Sequence, residues 1–198
     1  NHLEGIGFSR GKGHPSVYHH ASRELVTLVH GDDYTTAGDP EDLKWFKKKL
    51  EDAYEIKSQL VGPSGSTTGK VLNRIITFTG NGFELEADPR HSEMIMEQMG
   101  VTSSGGITTA GMQNEEVETP EMEEKLDQSD VTCFRGVSAR AMYLGPDRPE
   151  MMYASKEVCR EMSTPSVGGL AKLTRIAKFL AGRPRVVWEF PNQDPQEV

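Results

Sequence analysis

The chain has 198 residues, 35% of them hydrophobic, with a mean hydropathy of −0.55 and a formal net charge of −8. That is room for one domain or two small ones, and no apolar run is long enough to span a membrane. The two cysteines, Cys133 and Cys159, have neither metal-ligand spacing nor a disulfide framework, so both are expected as buried free thiols.

Asn1 to Gly13 is Gly-rich and does not read as a signal peptide. His14 to His20 reads as a short strand with Pro15 near its start. Neighbouring residues on a strand face opposite ways, so His19-His20 does not make a zinc site. Leu25 to Val29 is an apolar, β-rich run that stops at His30-Gly31-Asp32-Asp33, and Tyr34 to Ala37 is a second such run ending at Gly38. Gly and Asp tolerate the backbone angles of hairpin turns, so the pair of runs predicts a tight hairpin. With the strand before it, the hairpin makes a three-stranded antiparallel sheet.

Asp39-Pro40-Glu41-Asp42 is a helix start: an N-cap, a proline at the first helical position and acids in the first turn. Leu43, Phe46, Leu50 and Tyr54 then share one helical face, and the lysines around them read as a solvated face. Glu55 to Val61 is a candidate strand, and Gly62 to Gly69 a loop. Gly65 to Lys70 is not a phosphate-binding loop, because Val71 stands where Ser or Thr is required. Val71 to Thr79, Gly80-Asn81-Gly82 and Phe83 to Glu86 form a second hairpin. Asp88-Pro89 starts a helix with Met94, Ile95 and Met99 on its apolar side.

Residues 101–129 carry no period and read as a flexible acidic linker. Between Gln113 and Asp130 there are eight acids (Glu115, Glu116, Glu118, Glu121, Glu123, Glu124, Asp127 and Asp130) against one Lys125. Three amphipathic helices follow over 130–185. Asp130 to Leu144 buries Val131, Phe134, Val137 and Ala141. Pro149 to Met162 buries Met152, Ser155, Cys159 and Met162. Ser166 to Ala181 buries Val167, Leu170, Leu173, Ala177 and Leu180. Short turns between them predict an antiparallel three-helix bundle. Val186 to Phe190 reads as a terminal strand, with a tail to 198.

Two groups of residues can carry chemistry. Asp32 and Asp33 are hard oxygen ligands at a hairpin tip, suited to Mg²⁺, with Mn²⁺ as a substitute. Side chains alternate along a strand, so one carboxylate enters a site and the other braces it; Asp32 is the one assigned to the metal. The plain alternative is a solvated acidic turn. Lys172, Arg175 and Lys178 recur every third residue off the apolar side of the last helix. Such a stripe suits the phosphates of a duplex, and its plain alternative is ordinary solubilising charge.

The apolar strand, His30-Gly31-Asp32-Asp33 and the strand after it resemble the Tyr-x-Asp-Asp hairpin of reverse transcriptases. Further on come Phe134-Arg135-Gly136-Val137, Ala141-Met142-Tyr143-Leu144, Asp147-Arg148-Pro149-Glu150-Met151 and Arg160-Glu161-Met162-Ser163-Thr164-Pro165, then Arg175 to Gly182. The ordered series is similar to the polymerase of copia-type LTR retrotransposons, over about Gly7 to Phe190. The resemblance implies an α+β fold: a partial palm with a primer-grip-like hairpin over 1–100, then a helical thumb or connection. It implies RNA-directed DNA polymerisation, in which a primer 3′-hydroxyl attacks a dNTP α-phosphate between two Mg²⁺ ions. Asp32 and Asp33 are then the metal ligands, and His30 and Gly31 lie where the primer end sits, with His30 in place of the family's Tyr. No aspartate precedes Asp32. A palm needs a further aspartate and fingers, so this reads as a C-terminal piece that does not polymerise alone. The implied partners are a primed RNA or DNA template, dNTP, upstream palm and fingers, and a downstream RNase H, all inside the cell. The other readings are a non-catalytic nucleic-acid-binding remnant of a retroelement and, more remotely, a metal-dependent phosphoesterase.

Overall fold

The computed structural model describes residues 2–102, 106–112 and 120–193. Glu115, Glu116 and Glu118 of the acidic run lie outside the described residues. The fold is mixed α+β, with two four-stranded antiparallel sheets and six α-helices among the described residues. The chain forms two compact units, Asn1–Val71 and Leu72–Val198. No helix among the described residues is long and apolar enough to cross a membrane.

In the first unit, α1 (His2–Gly5) leads into a sheet ordered β1 (Ser9–Arg10), β2 (Val17–His20), β3 (Leu25–His30), β4 (Asp33–Ala37). The expected three strands are therefore four, because Ser9 and Arg10 pair with His19 and Tyr18. Side chains alternate, so Leu25 and Thr27 are buried while Val26 between them is 44% exposed. The helix α2 (Pro40–Glu51) is capped as its sequence requires, with the Asp39 carboxylate accepting from the Glu41 N–H. Its Phe46 and Leu50 join Leu3, Phe8, Tyr18 and Leu25 in one apolar cluster. Arg23 reaches back to Asp42 and lies over the Trp45 ring. Residues 55–60 are not a strand, and Val61 makes only an isolated bridge with Ser66. Glu55, Lys57, Ser58 and Gln59 leave this stretch too polar to bury a face.

The unit ends with β5 (Thr68–Val71). The predicted continuous strand from Val71 to Thr79 is broken at Leu72 and Asn73, whose φ angles of 48° and 61° make a tight turn. Positive φ angles do not fit an extended strand, and Asn is one of the residues that accepts them.

In the second unit, β6 (Arg74–Phe78), β7 (Gly82–Ala87) and β8 (Val187–Pro191) are antiparallel neighbours. The helices are α3 (Arg90–Gln98), α4 (Gln128–Leu144), α5 (Pro149–Arg160) and α6 (Val167–Gly182). Their cluster joins Ile95 of α3 to Phe134, Val137, Ala141, Met151, Val158, Leu173, Ile176 and Leu180. The three later helices, read as packing together, thus share their apolar cluster with α3. The periodicity of Met94, Ile95 and Met99 shows an apolar face but not what covers it. Parts of 101–129 are also packed. Ala110 is buried, the Ile107 N–H donates to the Lys178 carbonyl, and the Val167 N–H donates to the Glu124 carbonyl. The N-cap of α4 is Asp127, three residues before the expected start.

Candidate functional site

The chemistry-bearing hairpin is built by β3 and β4, paired in the register Leu28↔Thr35, Val29↔Tyr34, His30↔Asp33. Two residues, Gly31 and Asp32, close it. Gly31 has φ 61°, and Asp32 is not among the positive-φ residues. A glycine at the first central position is the requirement of a type II′ turn, whose twist matches the strands. The tip stands at one side of the sheet, because β4 is an edge strand.

Parity along the strands decides which side chains share a face. Val29 and Tyr34 belong with Leu25 and Thr27 on the side that packs on the apolar cluster. Leu28, His30, Asp33 and Thr35 belong to the other side, and Val26 is on it too. His30, Gly31, Asp32 and Asp33 are all exposed. The expected division of labour, one carboxylate entering a site and one braced, has no bracing contact behind it. Neither carboxylate makes a hydrogen bond or ion pair among the described residues. The field of the tip is still felt. Tyr34 has its hydroxyl pKa pushed up, first by burial, then by Tyr54, Tyr18 and the charge of Asp32.

Two adjacent carboxylates are the ligand type that suits Mg²⁺, which takes one or two protein carboxylates and completes its shell with substrate phosphates or water. Among the described residues no group of three or more His, Cys, Asp and Glu side chains converges to hold a metal. The two hairpin carboxylates are therefore not joined by a further protein ligand of these types among the described residues.

The second predicted group lies on α6. That helix starts at Ser166, whose hydroxyl accepts from the Gly169 N–H. Lys172 is not free for phosphate: its Nζ is 2.6 Å from Glu161 Oε1 and half-buried. Glu161 Oε2 also accepts from the Ser166 hydroxyl at 3.0 Å. Arg175 is half-buried and donates to Thr109 Oγ1 at 3.0 Å. Lys178 is exposed. The stripe is therefore graded, from a paired lysine at one end to an open one at the other. Nearby, Arg185 clasps Glu86 through two 2.8 Å hydrogen bonds, which hold its pKa above the usual guanidinium value.

One constellation has no counterpart among the roles assigned from sequence. Arg148 is 2% exposed, donating to Glu150 Oε1 at 2.6 Å and to the Arg183 carbonyl at 2.7 Å. Its neighbour Asp147 accepts from Arg74 at 2.6 Å, and the Asp147 carbonyl accepts from the Trp188 indole at 3.2 Å. The turn between α4 and α5 is thereby tied to β6, β8 and the end of α6. The sequence signal was Asp147-Arg148 directly before a helix-opening proline. Nothing in that spacing announces burial.

No protein-family model, no curated protein and no solved structure matches the chain.

Proposed function

We propose that this chain is a piece of an RNA-directed DNA polymerase of the copia retrotransposon type, comprising the end of the palm followed by a helical thumb or connection. The observation that carries the reading is the two-residue hairpin turn that leaves Asp32 and Asp33 side by side and exposed. The ordered series of motifs downstream is its second support.

In this reading Asp32 and Asp33 bind the metal at the sheet edge. Mg²⁺ or Mn²⁺, when bound, supplies Lewis-acid stabilisation of the phosphoryl oxygens. Gly31, lacking a side chain, lets backbone approach the primer end closely. His30 hydrogen-bonds a sugar or phosphate there through its ring nitrogens. Lys178 contributes charge to a duplex backbone, Arg175 less, and Lys172 only if it leaves Glu161. The remaining metal ligand, the fingers and an RNase H belong to segments upstream and downstream.

The test is binding of labelled oligo(dT) on poly(rA), with and without dTTP and Mg²⁺. Wild type is expected to bind more tightly when dTTP and Mg²⁺ are both present, and Asp32→Asn to lose only that increment. Primer extension by the chain alone is expected to be absent. Binding indifferent to dTTP, Mg²⁺ and Asp32 overturns the polymerase reading.

That result would support the second reading, a non-catalytic nucleic-acid-binding remnant of a retroelement. It is favoured by the lack of a three-ligand metal group among the described residues. Reversing the charge of Lys172, Arg175 and Lys178 together is expected to abolish binding in that case.

A further inference from the structure

We propose that the hairpin carries a second metal preference, unrelated to nucleotide: His30 and Asp33 form a two-ligand site for a borderline divalent transition ion such as Ni²⁺, Co²⁺ or Zn²⁺. The register places the two residues directly opposite each other. Directly opposed residues of an antiparallel pair have Cβ atoms about 4.5–5.5 Å apart and their side chains on one face. Both side chains are exposed, and neither is engaged in a hydrogen bond or ion pair among the described residues. A short carboxylate and an imidazole of this separation converge on one ion by rotation about their own side-chain bonds.

The ligand types choose the ion. Mg²⁺ takes oxygen ligands and gives up its water reluctantly. An imidazole nitrogen suits Zn²⁺, Ni²⁺ and Cu²⁺, and affinity rises from Mn²⁺ toward Cu²⁺ across the first row. Asp32 occupies the turn rather than the paired position, so it is not part of the set. No third His, Cys, Asp or Glu completes a group among the described residues, so water fills the other positions. His19 lies on the same face of the sheet, opposite Val26, and is the control for adventitious histidine binding. The site does not depend on the polymerase reading, since it needs no nucleotide, template or upstream segment.

The experiment uses the tag-free, chelator-stripped chain without nucleotide. Ni²⁺ alone and Mg²⁺ alone are titrated calorimetrically, and Ni²⁺ broadening is mapped on amide resonances. Ni²⁺ is expected to bind, with broadening centred on Val29 to Tyr34. His30→Gln and Asp33→Asn are each expected to weaken Ni²⁺ by about tenfold or more, the equivalent of roughly 1.4 kcal/mol, and His19→Gln to leave it unchanged. Mg²⁺ in hundredfold excess over Ni²⁺ is expected not to displace it. Unchanged Ni²⁺ affinity in His30→Gln or Asp33→Asn overturns the proposal, as does displacement by Mg²⁺ or broadening centred on His19. Failure here leaves the dTTP- and Mg²⁺-dependent binding of duplex untouched, and the reverse also holds.

Discussion

Gly31 is the residue on which the hairpin tip turns. A Cβ added there meets no atom within 4 Å, so space is not the constraint; its φ of 61° is. An L-residue forced into the left-handed region costs about 1–2 kcal/mol. Gly31→Val is expected to lower the unfolding free energy read from urea titration by about that amount, and Gly31→Asn by less, since Asn tolerates positive φ. Equal losses for both would mean that packing, not backbone conformation, sets the cost. Arg148 makes the opposite case, in which surroundings rather than backbone matter. Replacing it with Ala removes the hydrogen bonds to Glu150 and the Arg183 carbonyl and the packing of a side chain that is itself buried, although Glu150 and Arg183 reach solvent. The expected destabilisation is about 1–3 kcal/mol, read from denaturant unfolding. The turn chemistry at Gly31-Asp32 was legible because Gly and Asp carry their backbone preference with them. The burial of Arg148 was not, because an arginine before a proline has the same sequence whether its guanidinium meets water or a carbonyl. The same limit applies to Lys172, whose partner Glu161 is eleven positions away, just past the end of α5.

At the scale of elements, helix existence followed from periodicity, but the face and the ends needed the fold. In α5 the sets Met151, Ala154, Ser155, Val158 and Met152, Ser155, Cys159, Met162 both have helical spacing. They share Ser155, and their mean directions differ by about 70°. The first set is the buried one, and Met152 is exposed. Met151-Met152 offers an apolar residue to either face, so spacing alone cannot choose. Cys159, expected at the centre of the buried face, is only half-buried, yet burial still pushes its thiol pKa up. The start of α4 is a sharper case. The Asp127 carboxylate accepts from the Asp130 N–H at 2.9 Å and the Ser129 hydroxyl at 2.8 Å, and these bonds, the backbone one first, hold its pKa below the usual carboxylate value. A depressed native pKa means that the cap stabilises in its charged form. Its contribution is complete above the unfolded value of about 3.9 and fades as pH falls through the native value. Asp127→Ala is expected to lower the thermal midpoint at pH 7. The gap to wild type should close in strong acid. A gap that stays constant to acid pH would show that the carboxylate charge plays no part.

For the whole molecule, the deciding fact is that the two apolar clusters share no residue. Leu3, Phe8, Tyr18, Leu25, Phe46 and Leu50 hold the first unit together, and the cluster around Phe134, Leu173 and Ile176 holds the second. The sequence displayed the amphipathic pieces of both, yet the division at Val71/Leu72 was hidden in what reads as one uninterrupted strand. A unit with its own core carries its own unfolding free energy. Phe134 is fully buried, and truncating a core phenylalanine to alanine costs about 3–5 kcal/mol through lost contacts and the cavity left behind. Phe134→Ala is therefore expected to speed amide exchange throughout α4, α5 and α6. Exchange in β3, where Leu25 is equally buried, should stay at the wild-type rate. Leu25→Ala is expected to do the converse: faster exchange in β3 and α2, none gained in α6. If either substitution accelerates exchange equally in both units, the chain unfolds as one cooperative body, and the candidate metal hairpin draws its rigidity from both cores instead of from the first alone.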